Sequence, residues 1–564
     1  MDTRRGLEVT KSGLRFSTVI RSKWFILHCV AVSVFGISFL IYLNTLAPGL
    51  VWEHYGQDGG ELISASIMLG VAHPPGYPTY LMLGNLFSRV TFFDDAAFTF
   101  NMFSALSASI SVVGFYYLTN ILSNMIARSS KHTLLIVILS ACSSLTFATS
   151  SIFWSQAVIA EVYTMNSLFF CLALLLAVMN SGIRSPKGNF DSFRLGGAND
   201  VGERLAGWFG RYGVLLSGVC IGVGMGNHLT IVFLLAPILL FYFYVDGIKI
   251  GPLFTFVGGV IAGLTVYFYL PLRAGVVGLP INWGDTDTLK GFIWQITAVP
   301  YQDKVFGISS GEIWDRLSSW AWMTVDQVTL LGILMCIVGL LGLSRVWPSI
   351  AITKINITLI YIIYSVSYAT SDSYTYLIPV YGVMAVLLGV GWYVFGSELI
   401  RRIAVEPRRQ VAVWALILSM AITLPVFNLV ANYSNIDVSQ DTQAEDYVHE
   451  VFDTIDPDSV LIATGDNEVF AIWYGHYTER LGPKVSVIVA PLLQYDWYWE
   501  TLTQQNPGRM PSFMPDGYEE RIMEIVKKNV YSRSVYLNYE DGSVKNQFKL
   551  EPVERVYRVG IPVE

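Results

Sequence analysis

Apolar residues fall in blocks along this chain, and most blocks are long enough to cross a hydrocarbon core, which takes roughly 20 apolar residues in a helix. The pattern predicts about eleven membrane-spanning helices, over 25–46, 99–126, 133–150, 162–180, 212–226, 229–245, 251–270, 326–344, 355–370, 377–396 and 410–430. Segment 77–92 is apolar but short, as are 212–226 and 229–245, so the count is open by one hairpin, an even change that keeps the topology. After residue 430 the pattern changes. Helix-like periodicity over 444–455, 467–481 and 518–530 alternates with strand-like runs at 459–465, 485–492 and 534–539, which predicts a small soluble α/β domain over 431–564.

Charge orients the spans. Arg4, Arg5, Lys11, Arg15, Arg21 and Lys23 precede the first span and place 1–24 in the cytoplasm. No small-residue cleavage site clearly follows that span, which reads as a retained anchor. Threading the rest puts Arg128 and Lys131; Arg184, Lys187, Arg194, Arg204 and Arg211; Lys249; Arg345 and Lys354; and Arg401, Arg402, Arg408 and Arg409 on the cytoplasmic side. The connectors 47–98, 151–161, 227–228, 271–325 and 371–376, with everything after 430, then share the opposite face. The transmembrane domain is 25–430.

Composition agrees. Charged residues are 14% of the chain, against roughly 25% in a soluble domain. A net charge of −7 gives a nucleic-acid partner no electrostatic support. Cys29, Cys142, Cys171, Cys220 and Cys336 lie in apolar segments without metal-ligand spacing, so neither a zinc site nor a disulfide framework is indicated. The C-terminal segment lacks a GxGxxG or P-loop, so nucleotide binding is unsupported there.

Candidate chemistry gathers on the non-cytoplasmic face. In QDGGELISASIMLGVAHPPGYP, residues 57–78, Asp58 and Glu61 share a face if helical, and the prolines after His73 stop any helix. The segment predicts a short amphipathic helix and a rigid turn at the membrane surface. Elsewhere, Glu161 and Tyr163 stand at a span mouth, Asn227 and His228 lie between two apolar runs, and Arg273 follows a span, ahead of Trp283-Gly-Asp285. Each has a plainer reading: a solvated acid, a satisfied polar turn, or an arginine snorkelling to headgroups. Asp466 and Glu468 follow a strand-like run and read best as a solvated loop. A transporter or a non-catalytic envelope-assembly protein would also have many spans, but no convincing internal repeat is present and the polar groups cluster at span ends rather than midpoints.

Taken together, these motifs resemble the protein O-mannosyltransferase-like family of membrane glycosyltransferases, in the GT-C superfamily. The resemblance rests on Asp58-Gly-Gly-Glu61, His73-Pro-Pro-Gly-Tyr77-Pro, Trp154-Ser-Gln with Glu161-Val-Tyr163, Asn227-His228-Leu-Thr, and Tyr269-Leu-Pro-Leu-Arg273 followed by Asn282-Trp283-Gly-Asp285, and covers roughly residues 25 to 310. It implies a GT-C-like fold and inverting transfer of mannose or a similar hexose from a polyprenyl-phosphate carrier to a protein or glycan hydroxyl, outside the cytoplasm and at the bilayer. Asp58 occupies the position of the catalytic base, as the chemistry also requires, since an attacking hydroxyl needs a carboxylate to take its proton. Glu61 is its partner: it positions the acceptor, orients Asp58 or holds a divalent cation. Arg273 and His228 are the candidates for the departing lipid phosphate. His73, Tyr77, Glu161, Tyr163, Asn227, Trp283 and Asp285 are expected to contact substrate; no dedicated metal site is expected.

Overall fold

The computed structural model describes residues 5–91, 93–127, 132–184, 200–247, 249–403 and 406–562, with the side chains of 5–24, 181–184, 200–207, 209, 210, 246, 561 and 562 left aside. Of the threading cations, Arg4, Arg128, Lys131, Lys187 and Arg194 lie outside the described residues, as do the side chains of Arg5, Lys11, Arg15, Arg21, Lys23, Arg184 and Arg204.

The helical part runs α1 (Arg5–Asn44), α2 (Gly59–Met68), α3 (Pro78–Val90), α4 (Ala96–Ile126), α5 (Thr133–Ala148), α6 (Ser151–Ala157), α7 (Tyr163–Arg184), α8 (Asp200–Met225), α9 (Leu235–Asp246), α10 (Ile250–Leu264), α11 (Tyr269–Ala274), α12 (Leu289–Ile296), α13 (Ser310–Val346), α14 (Pro348–Ser367), α15 (Ile378–Ile403) and α16 (Pro407–Ile436). Among the described residues eight helices are long and apolar enough to span a bilayer, and two shorter apolar helices, Arg211–Met225 and Leu229–Val245, stand where the two short spans were expected. The protein is an integral multi-pass membrane protein. Within segment 77–92, Pro78–Val90 forms α3, a helix of 13 residues, too short to cross alone. Helix α16 continues past the expected boundary at 430 to Ile436.

Small residues set the closest helix contacts. A Cβ on Gly218 or Gly222 of α8 would lie 2.3 Å from a carbonyl oxygen of α10, and one on Gly259 of α10 would lie 2.3 Å from Leu215 O of α8. Two glycines spaced by four on each helix let the backbones touch, the usual means of association where lipid removes the hydrophobic drive.

The block expected as one span over 133–150 instead breaks, with α6 turned 70° from α5. Such a break frees backbone groups that lipid cannot satisfy. Neighbouring amides do so: Asn432 Nδ2 donates to Thr149 O at 2.9 Å, Ile152 N donates to Gln327 Oε1 at 3.3 Å and Gln327 Nε2 donates to Ser151 Oγ at 2.8 Å. Asn428 Nδ2 in turn donates to Gln327 O at 2.8 Å, just before the irregular residue Thr329 in α13. The turn at α6 thereby delivers 158–162 to the 47–98 connector, where Ala47 N donates to Val158 O at 3.1 Å.

The C-terminal domain contains α17 (Gln443–Thr454), β1 (Val460–Ala463), α18 (Asp466–Trp473), β2 (Ser486–Val489), α19 (Asp496–Gln505), α20 (Tyr518–Asn529), β3 (Val535–Leu537), α21 (Gly542–Lys545), β4 (Phe548–Val553) and β5 (Val556–Pro562). The sheet order is β2-β1-β3-β5-β4, with β1 parallel to β2 and β3 and the terminal hairpin antiparallel. Fully buried Val460, Leu461, Ile462 and Ala463 explain why this strand reads as a continuous apolar run. Its core is continuous with that of the α2–α3 region, joining Ile462 and Phe470 to Leu62, Ile63, Tyr80 and Phe100. Helix α2 therefore lies inside protein, with residues 59–66 all buried, and not on the membrane surface as its pattern suggested.

Candidate active site

The connector before α2 bends sharply, with His54 and Tyr55 both in the left-handed region at φ 60° and 63°. Two such non-glycine residues in succession cost roughly 1–2 kcal/mol each and persist because they are pinned: Gln156 Nε2 donates to His54 O at 3.0 Å and His54 Nε2 meets Ile436 O at 3.2 Å. The bend delivers Asp58 to the start of α2. Gly60 is required there, since a Cβ would lie 2.3 Å from the Phe470 carbonyl oxygen of α18. Absence of that one carbon brings the C-terminal domain onto the helix that carries Glu61.

Glu61 is fully buried, and both its oxygens are taken by one residue. Oε1 accepts from the His73 backbone N–H at 3.1 Å, and Oε2 pairs with His73 Nδ1. The HPPGYP turn makes this reach possible, because Gly76 at φ 91° and Tyr77 at φ 44° fold the chain back before Pro78 opens α3. Across the imidazole, His73 Nε2 faces the Tyr77 hydroxyl at 3.1 Å and Asp58 Oδ2 at 3.7 Å. Phe470 stacks on the ring at 6.0 Å, and Trp283 and Tyr301 meet it edge-on at 6.1 and 6.2 Å.

Electrostatics follow from that enclosure. Burial pushes the His73 pKa down, but the Glu61 and Asp58 carboxylates outweigh it and raise it to about 9, so His73 is an imidazolium at neutral pH. Asp58 is pushed up to about 6, first by burial, with the His73 charge opposing and the carboxylates of Glu61, Asp466 and Asp372 adding to the rise. Its side chain keeps 35% of its accessible surface, so protein surrounds Asp58 while one side opens into the chamber. A carboxylate poised this near neutrality is suited to accept a proton.

Glu161, 3% exposed, faces the same chamber. Burial, and then the Asp58 charge, push its pKa well above the carboxylate range, although Val162 N–H donates to it at 3.1 Å. Asn227 Nδ2 donates to Val162 O at 3.0 Å and fixes the entry to α7. His228 caps the turn after it, with Nδ1 2.8 Å from Thr230 Oγ1; burial and the His73 charge lower its pKa to about 4. It is neutral, and its ring packs against Tyr163 and Tyr376.

Two of the sequence-selected residues are not brought to this cluster. Arg273 Nε and Nη2 donate to Leu69 O at 2.5 Å and Met68 O at 3.3 Å. They satisfy the orphan carbonyls at the end of α2, about 15 Å along the helix from Asp58. Asp285, at φ 53° in an exposed turn before α12, has its pKa raised by partial burial and then by the neighbouring Asp287 and Glu500. Trp283 does line the chamber, and its buried Nε1 has no partner among the described residues.

The structure adds Tyr301, Asp372, Tyr376 and Phe470, and it places exposed Asp466, expected as a merely solvated loop, near enough to shift both Asp58 and His73. Lys304 lies 5.3 Å over the Tyr301 ring at the chamber rim. For Asp372 and Tyr376 the available signal was the short connector SDSYTYL; for Phe470 none was available. Asp95, Glu445 and Glu479, with ligand oxygens within 4.8 Å of one another, form a separate acidic group between α4 and the C-terminal domain. His73 meets one oxygen of Glu61 with its backbone N–H and the other with its ring, so Glu61 fixes the orientation of the imidazole.

Residues 58–250 match the family model described as the protein O-mannosyl-transferase TMEM260 N-terminal domain, and residues 444–555 match TMEM260-associated domain 2. The protein O-mannosyl-transferase tmem260 of Dictyostelium discoideum is 25% identical over 558 residues, 90% of this chain and 64% of that protein. Its Mus musculus counterpart is 25% identical over 502 residues, 85% of this chain and 65% of that protein. The chain thus spans somewhat less than two thirds of the length of these curated relatives. Among solved structures, ArnT from Cupriavidus metallidurans shares the fold, with TM-score 0.54 and 10% identity over 94% of this chain and 97% of that one in the apo state, and TM-score 0.52 and 11% identity over 95% and 97% when bound to undecaprenyl phosphate. With an N-terminal match that opens on Asp58 itself and a second match over the domain that walls the chamber, this chain is similar to the protein O-mannosyl-transferase TMEM260 proteins along both segments, and it has the fold of ArnT.

Proposed function

We propose that this protein is an inverting membrane glycosyltransferase that moves mannose or a similar hexose from a polyprenyl-phosphate carrier to a protein or glycan hydroxyl on the non-cytoplasmic side. The observation that carries the reading is the Glu61–His73–Asp58 array. The acceptor oxygen attacks the anomeric carbon, its proton passes to the Asp58 carboxylate, and the bond from that carbon to the phosphate oxygen breaks, leaving the negative charge on the lipid phosphate. One displacement inverts the anomeric centre. The His73 imidazolium keeps Asp58 ionised close to neutral pH, and Glu61 holds His73 in place. Developing phosphate charge is met by the neutral His228, through Nε2, and by Lys304 at the rim. Arg273 acts through α2.

Support for the lipid-linked donor comes from the ArnT neighbour that binds undecaprenyl phosphate, and support for the protein acceptor from the names of the relatives. A cavity of about 310 Å³, lined by Trp52, Glu53, His54, Tyr55 and Gln57 together with Asp441 and Gln443, opens beside Asp58 between the two domains. It is open and carries Glu53, Gln57, Asp441 and Gln443 beside its aromatic residues, as suits an acceptor entrance. The test offers purified protein a polyprenyl-phosphate hexose and the nucleotide sugar separately, with the product linkage read by NMR. Transfer from the lipid-linked sugar alone, with inversion, is expected; turnover of the nucleotide sugar alone, or retention, overturns the reading. Cysteine labelling of residues 58 and 470 from the outside tests the sidedness.

A further inference from the structure

At the end of the bundle opposite the chamber, Lys354 of α14 is 4% exposed, about 20 Å along the helix from the chamber-side residue Tyr368. It lines a crevice with Leu118 of α4, Leu174 of α7, Phe241 of α9, and Ile350 and Thr353 of its own helix. Thr353 spends its hydroxyl on Ser349 O at 2.8 Å. Among the described residues no carboxylate or hydrogen-bond acceptor partners the ammonium. Ionisable groups inside membrane proteins are costly, and they normally pair or mark a binding path. The reaction derived above makes no use of this one.

We infer that the Lys354 crevice is a binding site for the phosphate of an anionic membrane lipid, separate from the donor site. Its free interior of about 20 Å³ is water-sized, so it admits one phosphate oxygen to the ammonium while the rest of the headgroup stays at the mouth. The apolar walls from four helices would not hold a free, hydrated phosphate, so the rest of the lipid lies outside the crevice, along the helices. A lipid bound there would tie α14 to α4, α7 and α9, the helices whose other ends carry the chamber. The inference is independent of the transfer reaction.

The test uses the full chain in mild detergent, with wild type, Lys354→Met and Lys354→Arg compared by native mass spectrometry and thermal unfolding. Phosphatidylglycerol, phosphatidylcholine and inorganic phosphate are the probes. Wild type and Lys354→Arg should retain phospholipid and melt higher with phosphatidylglycerol; Lys354→Met should lose most of that shift, its affinity falling by about tenfold or more with the loss of a charge-assisted contact. A weaker response to phosphatidylcholine and none to inorganic phosphate support a lipid source. An equal response to inorganic phosphate overturns it, as does an undiminished phosphatidylglycerol shift in Lys354→Met. Should Lys354→Met simply melt higher than wild type, with wild type gaining nothing from lipid, the lysine is a buried cation solvated by one trapped water and the inference fails.

Discussion

At the chamber end of the bundle, Glu61 and His73 are both buried and each is the other's principal partner, with Asp58 completing the set across the imidazole. At the opposite end Lys354 is as deeply buried and meets mainly apolar side chains. The first arrangement compensates charge within the fold, so its cost is met by hydrogen bonds and Asp58 is left with a pKa near neutrality. The second leaves charge to be compensated from outside. Burial alone therefore does not tell what a charged residue in a membrane protein does; the identity of its partner does.

The largest effect that would break this contrast lies at Asp58. Asp58→Asn keeps the shape and removes the proton acceptor, so transfer should fall by about two to four orders of magnitude, while the melting temperature stays near that of wild type because the side chain is partly open. Full activity in this variant would move the base to another acid, and Glu161, which faces the same chamber, is the next to test.

Glu61→Gln sharpens the comparison by uncoupling the pair. Breaking a buried ion pair and stranding the charge costs roughly 3–5 kcal/mol, but His73 can shed its proton, so the loss should be nearer the roughly 1–3 kcal/mol of an impaired buried hydrogen bond. The pH profile separates the two roles. Activity should rise as Asp58 ionises near pH 6 and fall as His73 deprotonates near pH 9. His73 has a raised pKa, so its stabilising contribution is complete below about 6.5, its unfolded value, and is lost as pH rises through about 9. The raised pKa of Asp58 has the matching sign: its contribution is complete below about 3.9, the unfolded value, and declines as pH rises through about 6. In Glu61→Gln the alkaline limb of activity should move toward neutrality; an unmoved limb means His73 is not the group that titrates there.

Arg273 supplies the next step down. If it caps α2, Arg273→Ala should lower stability by about 1.5–3 kcal/mol for hydrogen bonds from a charged donor, with that figure an upper limit because the guanidinium is half-buried. Donor KM should change little. A raised donor KM with unchanged thermal stability would instead make Arg273 a phosphate contact.

The smallest effect is expected at the acidic group between the domains. Burial first, and then the neighbouring carboxylates, push Glu445 up, as burial also does for Asp95 and Glu479. Raised carboxylates contribute stability at low pH that is lost as pH rises above the ordinary carboxylate range. Glu445→Gln should flatten that decline and raise the neutral-pH melting temperature slightly, by the equivalent of less than about 1 kcal/mol for half-exposed charges. A fall in melting temperature would show that the carboxylate makes a favourable contact.

Much of this molecule is legible along the chain because a bilayer leaves little choice: a backbone in lipid must bond to itself, so long apolar blocks become helices. The basic connectors, the alternation after residue 430 and the stop at His73-Pro-Pro-Gly-Tyr77-Pro are legible for similarly local reasons, as is the selection of Asp58, Glu61 and His73 as polar residues in an otherwise apolar region. What only the tertiary structure decided is who partners whom. Glu61 finds His73 twelve residues on, Arg273 reaches carbonyls 204 and 205 residues away, and a break near residue 150 is stabilised by Gln327 and Asn432. Phe470 covers the imidazole from a different domain. Sequence fixes the local cost of placing each polar group in an apolar setting; the long-range contacts that offset that cost, and so divide buried pair from helix cap and paired charge from unpaired one, exist only once the chain has folded.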